Sequence, residues 1–219
     1  MPPKVQNSFS LPEKTAYIWQ VNYLAHVYLS GSDDQLALGN FIADHIKGNH
    51  YQRFPENIQK GILLHRSIDS YTDAHPLFKQ AAQFFFPTHR HYSRVLVDMY
   101  FDHQLARDWD LYHTTPLALF AADFYQVIHD HLAVLPESFV KIDRIIREQD
   151  WFQCYATVAG MEHILMHMDR RTRFDAGLQG SIEQYKSIQE DFDVLFPPFF
   201  KELREHVDRE KKRIDLLYC

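Results

Sequence analysis

Two four-residue intervals carry the groups of greatest chemical potential. In GILLHRSIDSYTDAHP, residues 61–76, His65 and Asp69 stand four apart, and Thr72 and Asp73 continue the row. At about 100° per helical residue these side chains share a face with Ile58 and Ile62. An imidazole and a carboxylate one turn apart can bind a common cation. Because a buried unpaired charge is costly, there are two ways to explain such a row on an apolar stripe. Either the stripe reaches the surface at its C-terminal half, or its polar groups satisfy one another around something bound. In VLVDMYFDHQL, residues 95–105, Asp98 and Asp102 repeat the interval beside Val95, Phe101 and Leu105. Two carboxylates there repel each other and lose hydration, so they need a cation, a proton, or an arginine such as Arg94 or Arg107. His103 points about 100° away from Asp102 and is expected to play a different part.

Other groups compete for attention. In LALGNFIADHIKGN, residues 36–49, Asn40, Asp44 and Lys47 form a polar stripe opposite Leu38, Ile42 and Ile46, which alone reads as a solvent face. His26 lies alone in the apolar run VNYLAHV, where a satisfied core histidine is the usual explanation. His163 and His167 are another i,i+4 pair, and His129-Asp130-His131 holds the literal His-Asp dipeptide. Both rank lower because neither has a second helix of clustered acids nearby in sequence. His89 and His91 read as surface residues. The chain has no G-x-S-x-G elbow, phosphate loop, G-x-G-x-x-G, H-E-x-x-H or E-x-x-H. What remains is a mixture of aspartates and histidines, whose O and N donors suit Mn²⁺ or Mg²⁺ better than a structural zinc.

These groups must be positioned by helices. Seven glycines are few, and no strand-and-hairpin spacing recurs. The pattern predicts helices over about 16–29, 34–47, 56–74, 77–86, 89–112, 117–135, 137–148, 152–171 and 179–212. The breaks fall at Gly31, Gly48, His75-Pro76, Pro87, Pro116, Pro136 and Pro197-Pro198. No repeat or linker divides the chain. The expected fold is all-α, a single-domain helical bundle over residues 21–219, preceded by a loose N-terminal extension at 1–20.

The totals exclude several classes. With 46% hydrophobic and 24% charged residues the composition is that of a globular domain with a sizeable core. A net charge of −6 disfavours nucleic acid and anionic membrane. No segment reads as a membrane span or signal peptide. Cys154 and Cys219 form no disulfide framework, so a cytoplasmic protein is expected.

Taken together, N-Y-L-A-H at 22–26, G-N-F-I-A-D at 39–44, H-R-S-I-D-S-Y-T-D at 65–73 and D-M-Y-F-D-H-Q-L at 98–105 resemble the bacterial acyl carrier protein phosphodiesterases. That family is an unusual branch of the HD-type metal-dependent phosphohydrolases and departs from the ordinary H…HD…D order. The resemblance runs from about Val21 to the C-terminal helix, with its motifs in the first half. It implies an all-helical, HD-phosphohydrolase-like fold, a divalent cation (Mn²⁺ or Mg²⁺), and removal of the phosphopantetheine arm from acyl carrier protein. Carried over by motif, it makes Asp44, His65, Asp69 and Asp102 the expected metal ligands. His26, Arg66, Asp73, Asp98 and His103 would support those ligands, bind phosphate or transfer a proton. An acidic carrier would dock on local basic residues, Lys47, Lys60 and Arg66, or Arg170, Arg171 and Arg173. A phosphohydrolase of nucleotides or other small phosphate esters, or a non-catalytic helical binding protein, remains open at this point.

Overall fold

A computed structural model of the chain describes residues 23–135, 138–170 and 176–219. The extension at 1–20, the expected helix start at 16, and Arg171 and Arg173 lie outside the described residues. Within them the chain is all-α. Ten helices occur in the order α1 (Tyr23–Ser30), α2 (Asp34–Ile42), α3 (Glu56–Ala74), α4 (Pro76–His89), α5 (Ser93–Arg107), α6 (Leu117–Asp130), α7 (Ser138–Gln149), α8 (Trp151–Tyr155), α9 (Val158–Asp169) and α10 (Ser181–Asp215). Short 3₁₀ turns join several of them.

Local chemistry explains most boundaries. Gly31, at φ 78°, separates α1 from α2, and the Asp33 carboxylate accepts the Leu36 N–H at 2.9 Å to cap α2. His75 leaves the helical region before Pro76, and its ring nitrogen accepts from the Leu77 amide at 3.2 Å. Thr157 caps α9 through the Gly160 N–H at 3.0 Å. This cap divides the expected helix 152–171 into α8 and α9.

Two proline expectations are overturned. α4 continues through Pro87 to His89, and α10 runs unbroken through Pro197 and Pro198. A proline inside a helix costs about 3 kcal/mol. Pro197 and Pro198 face solvent, while Phe192, Phe196, Phe199 and Phe200 on the other side of α10 are buried. Each buried phenylalanine contributes roughly 1.5–3 kcal/mol, enough together to keep the helix continuous through both prolines.

The second helix ends early. α2 stops at Ile42 and yields to 3₁₀ turns at Ala43–His45 and Gly48–Arg53, so Asp44 and Lys47 do not share a helical stripe with Asn40. Nor is that stripe solvated, because Asn40 is 0% exposed.

The reason lies where α2 crosses α3. A Cβ on Gly39 would overlap the Ile58 carbonyl oxygen, and one on Gly61 would overlap the Leu36 carbonyl oxygen. Two facing glycines therefore let the backbones touch, and Asn40 is pressed into the interior. α10 straps this pair from outside, with Lys60 bonded to Glu56 and Asp215 and Lys211 Nζ donating to the Ser30 carbonyl at 2.9 Å. One contiguous core, rich in phenylalanine and tyrosine, fills the space beneath.

Candidate metal centre

α1 brings His26, the 3₁₀ turn after α2 brings Asp44, and α3 brings His65 and Asp69. His65 Nε2 lies 3.0 Å from both Asp44 Oδ1 and Asp69 Oδ2. His26 Nε2 lies 3.3 Å from Asp69 Oδ1. The two imidazoles stack at 4.1 Å between centroids. Both rings are buried, whereas the side chains of Asp44 and Asp69 are 14% and 36% exposed. The group therefore meets water on its carboxylate side. The α3 row of the sequence descends from solvent to core, with Asp73 exposed, Asp69 half-buried and Ile62 and Ile58 at 0%.

Proton bookkeeping on His26 follows from its neighbour. Asn40 Nδ2 donates to the His26 carbonyl at 2.9 Å and to Ser30 Oγ at 3.0 Å. Its Oδ1 must therefore be the atom 2.6 Å from His26 Nδ1, which makes Nδ1 the donor. In the neutral ring Nε2 then carries a lone pair. That buried atom has no well-aligned hydrogen bond and faces a carboxylate oxygen. Lone pair against carboxylate is repulsive, so the contact calls for positive charge between or upon these groups.

Electrostatics elsewhere in the group agree. Burial opposes charge on His65, yet its hydrogen bonds to Asp44 and Asp69, with their charges, push its pKa up to about 10. Burial also opposes charge on Asp69, but the two imidazoles that face it, His26 and His65, hold its carboxyl well below the usual range. Ligand atoms of His26, His65 and Asp69 all lie within 4.8 Å of one another, and among the described residues this is the one such group. It could hold a metal ion, with Asp44 adjoining. The donor set, imidazole nitrogen with carboxylate oxygen, fits a divalent cation.

α5 departs from the expected ligand set. Asp102, 0% exposed, accepts the Leu24 N–H on Oδ2 and the Ala25 N–H on Oδ1, each at 2.9 Å. It secures the first turn of α1, and it is not among the three residues whose ligand atoms gather within 4.8 Å of one another. Burial pushes its pKa up to about 7, against the pull of the two amides. Asp98, one turn earlier, is half-buried. Burial and the charges of Asp69, Asp102, Asp73 and Asp44 raise its pKa well above the carboxylate range. Neither arginine serves these acids, since Arg94 pairs with Asp73 at 2.8 Å and Arg107 with Asp108 and Asp193.

The other expected residues sit apart. Arg66 donates to the carbonyls of Ile46 and Gly48 at 3.1 and 2.7 Å, with its guanidinium over the Tyr51 ring, so it fastens the turn that carries Asp44. Asp73 is exposed in its pair with Arg94. His103 Nδ1 donates to the Tyr155 carbonyl, 2.6 Å away at the end of α8, and burial lowers its pKa. A carbonyl only accepts, so Nδ1 is the donor. His131 bonds the Val127 carbonyl and Asp130 accepts from Gln126, which gives these two residues local roles at the end of α6. His163 and His167 meet edge to face at 4.5 Å on α9. His89, expected at the surface, is buried. Asn40 is the contributor that the sequence reading misses; its one signal is a glycine beside it inside a helical pattern.

A helical protein with a buried His/Asp group open to water on one side has the makings of a metal-dependent hydrolase site. The family profile described as acyl carrier protein phosphodiesterase matches residues 21–203. Curated relatives carry the same description. The protein of Photorhabdus laumondii is 32% identical over 191 residues, covering 87% of this chain and 96% of the relative. That of Pectobacterium atrosepticum is 34% identical over 186 residues, covering 84% and 96%. That of Yersinia pestis is 33% identical over 190 residues, covering 85% and 98%. The chain belongs to the acyl carrier protein phosphodiesterase family. No solved structure matches it significantly, and among the described residues no helix is long and apolar enough to cross a membrane.

Proposed function

We propose that this protein hydrolyses the phosphodiester linking 4′-phosphopantetheine to the serine of holo-acyl carrier protein, releasing apo-carrier and the free arm. The activity is assigned to residues 21–219 as one unit, in the cytoplasm, where the unbridged Cys154 and Cys219 are at home. The observation that carries the reading is the convergence of His26 Nε2, His65 Nε2 and the Asp69 carboxylate, with Asp44 adjoining, on one spot open to water. His26, His65, Asp69 and Asp44 would hold Mn²⁺ or Mg²⁺. Such an ion, when bound, acidifies a water and draws off negative charge at a phosphate oxygen.

The chain's own residues do the rest. Asp98 holds a proton and is our choice to deliver it to the departing serine oxygen. Asp73 and His103 are engaged elsewhere and are not assigned that task. Asp102 keeps α1, and with it His26, in place. Arg66 is bound to backbone carbonyls, so Lys47, exposed beside Asp44, is the better candidate to meet phosphate or an acidic carrier surface. Lys60 is neutralised by Glu56 and Asp215 and is set aside for docking. The test is to incubate the protein and Mn²⁺ with holo-acyl carrier protein and weigh the carrier by mass spectrometry. Loss of the arm, abolished by EDTA and restored by Mn²⁺, is expected. An unchanged carrier beside turnover of a nucleotide or small phosphodiester would overturn the substrate, and turnover untouched by EDTA would overturn the metal.

A further inference from the structure

We infer that Asn40 is a positioning residue that fixes the tautomer of His26 and so aims a ring-nitrogen lone pair at the cation. This inference rests on the metal reading above and goes beyond it, because Asn40 touches neither metal nor substrate. Three contacts define the residue. Nδ2 donates to the His26 carbonyl and to Ser30 Oγ, and Oδ1 accepts from His26 Nδ1 at 2.6 Å.

The reversed amide cannot be satisfied. It would turn an oxygen toward the His26 carbonyl, which only accepts. It would also face Ser30 Oγ, whose single proton is already given to the same carbonyl at 2.9 Å. The assignment is therefore forced by the partners rather than chosen, and Nδ1 must carry the ring proton. Nε2 is left to face Asp69.

The position itself is also fixed. Asn40 follows Gly39 at the glycine crossing, and a Cβ on Gly61 would come within 2.8 Å of the Asn40 backbone nitrogen. With its side chain 0% exposed, the amide has no water to exchange for these partners. α3 thus sets the place of Asn40, and Asn40 sets the chemistry of a histidine on α1. Ligating histidines generally depend on such a partner for orientation and basicity, and its loss costs roughly 10–100-fold in metal affinity.

The experiment measures two things on the full chain. Free Mn²⁺ by electron paramagnetic resonance gives affinity, and ¹⁵N side-chain NMR of the metal-free protein, followed up the pH scale until the ring is neutral, gives the His26 tautomer. Wild type should show Nδ1–H. Asn40→Leu should show mixed tautomers and a Kd for Mn²⁺ raised roughly 10–100-fold. Asn40→Asp, which keeps an acceptor for Nδ1–H but sets a second oxygen against the His26 carbonyl, should melt lower yet retain that tautomer and recover most of the affinity. A purely structural role would lower the melting temperature of both variants without moving the tautomer. Wild-type His26 found as Nε2–H overturns the inference with no variant needed. Unchanged Mn²⁺ affinity in a folded Asn40→Leu also overturns it while leaving the metal reading standing. Wild type that binds no Mn²⁺ removes the metal reading and this inference together.

Discussion

α3 and α5 carry the same interval of ionisable groups and put it to different uses. On α3, His65 and Asp69 are opposed by a histidine from α1 and an aspartate from the turn after α2, so charge meets countercharge. On α5, Asp102 meets the amides of Leu24 and Ala25, and Asp98 meets mostly other acids. The same short helix decides both outcomes. α1 offers its open N–H groups to one acid and, one residue later, an imidazole to another. The i,i+4 rule says which side chains share a face, and the opposing helix says whether that face binds, caps or stores a proton.

That contrast can be broken in order of expected size. Asp69→Asn or His65→Ala should lower kcat/KM on holo-acyl carrier protein at least about 10³-fold, since a bound ion contributes several kcal/mol to the transition state. Melting should change little, and activity within tenfold of wild type would dissolve the α3 side of the comparison. Asp98→Asn should lower kcat roughly 10²-fold while leaving the fold intact, because a neutral amide of similar shape replaces a carboxyl whose ionisation burial and neighbouring acids oppose. Asp102→Ala should do the reverse. It leaves two amides without an acceptor, costing about 2–4 kcal/mol in urea unfolding, and the protein that remains folded still binds Mn²⁺, more weakly because α1 and His26 lose an anchor. A stable but metal-free Asp102→Ala would return Asp102 to the ligand set.

A pH series sharpens the α5 side. The folded pKa of Asp102, about 7, stands above its unfolded value, so folding takes up a proton as pH falls. Its contribution is full below the unfolded pKa, about 4, and is lost as pH rises through about 7. Wild type should therefore lose stability relative to Asp102→Asn between about pH 4 and about pH 7. A constant difference would mean that the two amides keep the carboxylate ionised throughout. The smallest effect belongs to α9, where His163→Ala with His167→Ala should alter Mn²⁺ affinity less than about twofold, spacing alone being insufficient.

Much of this was legible in the sequence, and the misses share a cause. Helix order follows from hydrophobic periodicity and from Gly31, Pro55 and His75-Pro76, which act within a few residues. The His65/Asp69 face could be found the same way. The intact helix through Pro197-Pro198 could not, because four buried phenylalanines decide it from the far side. Asp98 and Asp102 could be recognised as needing partners, but not told apart, since the amides that claim Asp102 lie 77 and 78 residues away. Asn40 reads as solvated from the residues of its own stripe, and only the approach of α3 buries it.

Gly39 and Gly61 leave nothing but main chain between α2 and α3. The gap between the Asn40 and His65 attachment points is thus a fixed ruler, unadjustable by any rotamer. One added methyl at either glycine would act as a wedge, shifting reactive groups that it never touches. A mutational scan scored only by turnover would mistake both positions for parts of the reaction, and a redesign of specificity does better to vary α5 and leave that crossing alone.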